Sequence, residues 1–203
     1  LNPINKVHAT SFGELVMQDH RGRMKPMNTY ASEILRKLSR KETLYGLTAE
    51  QIILGMAVNP KYWYDVPLIK IGKHEKTKKI LPQPLEGNLL SYSDFFDLDG
   101  KYKLREHVRA AYNTQKKDRG VFEKEMMKLD EKVNICSMVF SGSFMKLFPV
   151  PNDPNNTWTS PNENNHGNHN NDSQNAFAKK FYAAYMPTLE SALVENDWNL
   201  ANR

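Results

Sequence analysis

Phe122, Met126, Leu129, Val133, Cys136, Phe140 and Phe144 recur in steps of four and three. That spacing puts all seven side chains on one stripe of an α-helix, and a stripe of that length must be covered by a neighbouring element. The spacing predicts a helix over 122–144, capped by Asp118, with Ser141-Gly142-Ser143 as a place where it can end early. Its expected cover is the last apolar segment. There Phe177, Phe181 and Tyr185 precede Pro187 and Leu189, Ala192 and Leu193 follow it, which implies a kinked helix or two stacked ones.

The remaining elements fit around that helix. Residues 11–28 combine short apolar steps with the turn-prone Asp19-His20-Arg21-Gly22 and then Pro26, the pattern of a small hairpin or extended loop. Tyr30, Ile34 and Leu38 share a stripe and predict a helix from residue 28 or 29 to about residue 40. Thr48 and Gln51 form a capping box opening a short helix that Asn59-Pro60 stops. Residues 62–81 read as a two-stranded hairpin whose tip carries Lys73, Lys76, Lys78 and Lys79, suited to lipid headgroups, to an acidic partner or simply to solubility. An Asp-Gly turn at 99–100 feeds a helix expected over 102–114. Residues 152–175 hold ten asparagines and cannot bury enough apolar surface to offset ordering, so a loop anchored by Trp158 is expected. The fold class is therefore mainly α with small β-hairpins, an α+β chain with helices packed antiparallel around one long helix. Its expected divisions are a mainly helical part over 1–151 with an N-terminal hairpin, an Asn-rich mobile loop over 152–175, and a C-terminal helical segment over 176–203 packing on the first part.

Function classes narrow by what the residues offer. With 203 residues the chain can build a core without metal or disulfide staples, and the lone Cys136 cannot form an internal bridge. The excess of Lys and Arg over Asp and Glu, 28 − 23 = 5, is too small and scattered to argue for nucleic acid. No run reaches the roughly 18 apolar residues that cross a bilayer. The start at Leu1 and the stop at Arg203 are expected to be cut ends of a longer chain. No Cys-x-x-Cys-His, glycine-rich phosphate loop or nucleophile elbow occurs, so no catalytic residue is assigned.

His166 and His169 have a metal-compatible spacing, but they lie in the Asn-rich stretch without further ligand types, and a surface loop is the better account. Asp97, Asp99, Gly100 and Glu106 match part of a calcium loop, yet Phe95 occupies its first place, which favours a plain Asp-Gly turn. No metal site is expected. His8, His20, His74 and His107 are scattered, and each imidazole could ligate haem iron. His20 stands out because it adjoins the densest polar stretch. In that stretch Asp19 beside Arg21 and Arg23 can lock a turn by charge-assisted hydrogen bonds, with Pro26 and Asn28 setting the helix entry. Alternatively the arginines bind haem propionates or a partner.

The phrase Phe12-Gly13-Glu14-Leu15-Val16-Met17-Gln18-Asp19-His20-Arg21-Gly22-Arg23-Met24-Lys25-Pro26-Met27-Asn28-Thr29-Tyr30-Ala31 resembles a stretch of the extracytoplasmic region in the large fused Ccs/Res-type proteins of system II cytochrome c biogenesis. Ile52-Ile53-Leu54-Gly55-Met56, Trp63, Pro67-Leu68-Ile69, Tyr102-Lys103-Leu104 and Asp130-Glu131-Lys132-Val133-Asn134 add to the likeness, particularly with Bacteroidetes-type members. The family's tryptophan-rich haem-handling motif and its transmembrane histidines are not in this sequence, so no haem ligand is carried over. The resemblance implies a periplasmic part of an integral inner-membrane protein that delivers haem and promotes its attachment to apocytochrome c. Its partners would be apocytochrome c and the membrane-spanning remainder of the same protein. Haem would be the cofactor of the full-length protein, not tightly bound by this fragment, and only that full-length family is linked to haem ligation. Recognition or positioning is the expected share of this segment, with His20, Arg21, Arg23 and Lys25 as contact residues for haem or partner. Gln18, Asp19, Gly22, Pro26, Asn28 and Thr29 form the structural motif. The alternative is a non-enzymatic envelope scaffold that never contacts haem.

Overall fold

The computed structural model of the chain describes residues 3–84, 87–150, 153–160, 172–199 and 201. The fold is mainly α with small antiparallel hairpins, and it divides into two compact units. Unit 1 comprises Leu1–Leu35, Glu42–Pro60 and Met138–Arg203, and unit 2 comprises Arg36–Lys41 and Lys61–Ser137. Among the described residues no helix is long and apolar enough to cross a membrane.

Unit 1 opens with α1 (Lys6–Glu14), which takes up the first residues of the 11–28 stretch expected as a small hairpin or extended loop. The Asn5 side chain accepts from the Val7 and His8 N–H groups at 2.9 and 3.2 Å, an N-cap that supplies two otherwise unpaired donors with a partner. The expected hairpin follows as β1 (Val16–Gln18) and β2 (Met24–Pro26), with Met17 opposite Lys25. Next comes the first predicted helix as α2 (Met27–Ser39), whose last turn falls in unit 2. The Thr48 and Gln51 capping box starts α3 (Ala49–Val58), and Asn59 ends it. Every residue of α3 except the half-buried Glu50 is buried, because α1 and the C-terminal helix α8 (Asp172–Glu195) both pack on it. At 24 residues α8 is the longest helix among the described residues, and it runs through Pro187 as one element. Between them lies the hairpin of β5 (Phe148–Pro149) and β6 (Trp158–Thr159), so the front of the Asn-rich stretch forms a strand around the expected anchor Trp158.

In unit 2, α4 (Pro60–Trp63) leads to β3 (Ile69–Lys70), which pairs antiparallel with β4 (Leu89–Leu90). This corrects the hairpin expected over 62–81. The lysine-rich segment is a short helix, α5 (Glu75–Ile80), because His74 Nδ1 accepts the Lys76 N–H at 3.2 Å, Lys78 pairs with Glu75 at 2.8 Å and Thr77 turns inward. The helix expected from residue 102 begins later, as α6 (Arg105–Asn113), since Tyr102 is held by a bridge to Phe96. The predicted long helix is α7 (Val121–Phe140). Asp118 lies in a 3-10 turn and does not cap it; Glu123 accepts the Gly120 N–H at 2.9 Å. The helix ends before Ser141-Gly142, where Gly142 adopts φ +69°. Phe95, Leu68, Ile69, Leu104, Met126, Leu129 and Cys136 fill the core of this unit.

Candidate functional site

The β1–β2 turn is organised by one carboxylate. Asp19 Oδ1 accepts the backbone N–H groups of Arg21 and Arg23 at 2.8 and 3.0 Å, and Oδ2 accepts from Arg23 Nε and Nη2 at 3.1 and 3.0 Å. Lys25 Nζ lies 3.3 Å from the same oxygen and donates to Glu33 at 2.9 Å. Burial of Asp19 favours its neutral form, but the Arg23 and Arg21 amides and the Arg23 and Lys25 side chains outweigh that effect. They hold the carboxyl well below the usual carboxylate range. Gly22, at φ +77°, closes the turn by donating its N–H to the Asp19 carbonyl at 2.9 Å.

Gln18 has a different duty. Its side chain is buried; Nε2 donates to the Gly22 and Asn156 carbonyls at 3.2 and 2.8 Å, and Oε1 accepts the Trp158 N–H at 2.7 Å. The first hairpin is thereby tied to the strand at β6. Of the expected contact residues, Arg23 and Lys25 are engaged with Asp19, while His20 and Arg21 are exposed at the turn. Pro26 ends β2, and Asn28 and Thr29 lie in the first turn of α2, which starts at Met27. The structure thus gathers Gln18, Asp19, Gly22, Arg23 and Lys25 into one network.

Beside that hairpin, unit 1 holds a cavity of about 220 Å³ lined by α1, the segment around β5, and α8. Phe12, Leu15, Phe148 and Phe181 make it apolar, and His8 with Tyr185 supplies its polar pair. His8 Nε2 lies 2.8 Å from the Tyr185 hydroxyl, and its ring sits 5.3 Å from that of Trp198. Burial pushes the Tyr185 phenol up to about 12, so it stays protonated near neutrality and can donate to the imidazole. Phe181 stacks on Tyr185 at 5.5 Å and meets Phe148 edge-on at 5.6 Å, with Phe181 itself partly open to solvent. A cavity of this size lies below the roughly 300–1,000 Å³ of sites that enclose drug-sized ligands. It fits one or two apolar side chains and does not enclose haem.

Sequence reasoning placed Phe181 and Tyr185 on a packing stripe and His8 among scattered histidines. The signal that could have joined them was Asn5, whose cap fixes α1 and buries His8. His74 and His107 both contact the Phe122 ring, at 5.3 and 5.8 Å, in unit 2. His166 and His169 lie outside the described residues, among which no group of three or more metal-ligand side chains is found. The partial calcium pattern is an Asp turn: Asp97 Oδ1 accepts the Asp99 and Lys101 N–H groups at 3.0 and 2.8 Å. Cys136 is fully buried, and burial raises its thiol pKa, leaving it a core residue.

No family model matches the sequence. The chain is similar to Protein NrfI of Wolinella succinogenes, with 45% identity over 151 residues. The match takes in 72% of this chain and 16% of the relative, so the chain spans about a sixth of that protein's length.

Proposed function

We propose that this chain, a relative of NrfI, serves cytochrome c maturation as a periplasmic part of a membrane-bound protein that delivers haem and promotes its attachment to apocytochrome c. The single observation that carries the reading is the 45% identity to NrfI over 151 residues, together with which the Ccs/Res-type phrase from Phe12 to Ala31 points the same way. The segment's own share is recognition and positioning. Haem belongs to the whole protein, and the partner is apocytochrome c. The aromatic-walled cavity beside His8 suits an apolar side chain of an extended partner segment, oriented by the His8–Tyr185 pair at its wall.

The test is made in cells that produce the whole protein and a reporter cytochrome c, read by covalent haem on the reporter. Phe148→Asp with Phe181→Ala is expected to cut that haem several-fold while the protein's own level holds. An unchanged reporter signal would remove the positioning role. The engagement of Arg23 and Lys25 by Asp19 favours a second reading, a scaffold that never touches haem. Titration of haem into the chain separates the two, since direct contact gives a Soret shift that His20→Ala abolishes and scaffolding gives none.

A further inference from the structure

We propose that the cleft of unit 2 formed by the C-terminal end of α2, β3 and the first turns of α7 binds a small phosphate-bearing polyanion. The cleft has a volume of about 620 Å³ and is lined by Lys37, Arg40, Lys70, Lys124, Lys128 and Lys132 against only two acids, Glu125 and Glu131. Glu131 is taken by Lys37 in an ion pair. The side chains of Arg40, Lys70, Lys124 and Lys128 make no ion pair or hydrogen bond among the described residues. Four cations therefore converge on one concave surface beside a single acid that pairs with none of them, Glu125, an arrangement in which their remaining mutual repulsion is relieved by a bound anion.

Three details separate this cleft from a lysine-rich surface kept for solubility. Lys132 is buried, and its ammonium donates to the Leu38 carbonyl at 3.1 Å and the Lys70 carbonyl at 2.5 Å, which leaves the third of its three donors for the cleft. Burial, and then Arg40 and Lys70, hold its pKa down to about 8, the mark of a cation without a counter-charge. Arg40 sits at φ +63°, where glycine is the unstrained choice at a helix end, so its guanidinium is kept at a backbone cost. Glu125 lies over the bare backbone of Gly72, where a Cβ would come within 2.3 Å of its Oε2, and its buried Oε1 has no hydrogen-bond partner. That oxygen needs a donor. A phosphate near neutral pH keeps a P–OH in part, which donates to Oε1 while the other oxygens accept from the lysines; an ionised carboxylate or sulfate offers acceptors only.

The site is independent of the haem reading, and haem attachment on a reporter does not bear on it. Inorganic pyrophosphate is titrated into the chain by calorimetry at pH 7 and low salt, beside Arg40→Gly and Arg40→Gly/Lys128→Ala. Saturable binding is expected, weakened at least about tenfold in the double variant and stronger for pyrophosphate than for sulfate. Arg40→Gly keeps or raises the melting temperature, because glycine suits the positive φ, so lost binding there is not lost folding. Vesicles containing phosphatidic acid, a monoester that keeps a P–OH in part, form the second arm: co-sedimentation lost in the double variant assigns the phosphate to a lipid headgroup, and pyrophosphate binding without it assigns a soluble phosphate compound. No saturable binding in either arm, binding that the double variant leaves unchanged, or sulfate binding as tight as pyrophosphate overturns the proposal.

Discussion

Asp19 shows how one side chain can set a turn. Its carboxylate accepts from two backbone amides and from Arg23, so ionisation and the β1–β2 geometry are coupled. The folded pKa lies below the unfolded value of about 3.9, so the charged form contributes stability above that pH and loses it as pH falls toward the folded value. Asp19→Asn is therefore expected to lower the melting temperature at pH 7, with the gap to the parent shrinking near pH 3. A gap that stays constant across that range would show that the charge is not what matters. The Asp19 turn was legible in the sequence, since aspartate followed by Gly22 three residues later carries its own local chemistry. Gln18 was not legible, because its partners Asn156 and Trp158 lie 138 and 140 positions away, in a stretch whose composition announces only a loop.

At the scale of elements, Pro187 is the local rule that α8 breaks. Proline lacks the N–H that would bond the Ala183 carbonyl, and its ring crowds that carbonyl, yet Met186 and Leu189 remain buried on either side. Pro187→Ala should raise the unfolding free energy by roughly 1 to 3 kcal/mol, read as a higher urea midpoint; a lower midpoint would mean that packing on α3 needs the proline geometry. Elements with end signals were read well. The capping box placed α3, and the four-three seam located α7, which stops at Phe140 because Gly142 takes a left-handed conformation. Elements without such signals were misread. The partner of β3 lies beyond two prolines at Leu89–Leu90, and α5 is six residues held by His74 and one Glu75–Lys78 pair, too short for any period to show.

The whole molecule is interleaved along the chain. Unit 1 draws on three separate stretches, whereas unit 2 is nearly continuous over Lys61–Ser137. A chain ending at Ser137 keeps every residue of unit 2 but loses Phe144, which stacks on Tyr30 at 5.6 Å, and the α8 surface that covers α3. Its α3 amides are expected to exchange hydrogen freely while those of the β3–β4 pair stay protected; protection of α3 equal to that in the full chain would refute the division. The basic cleft of unit 2 was invisible to sequence reading for a related reason, since its cations come from α2, β3 and α7 and no local window contains them.

The side-chain amide of Gln18 behaves as a one-residue strand, offering a donor to Asn156 and an acceptor to Trp158 as a peptide group would. Its consequence is one of timing. At the usual pace of roughly 5–20 residues per second, a ribosome needs on the order of ten seconds to supply Trp158 after Gln18 has been made, and throughout that interval water must stand in for the missing strand.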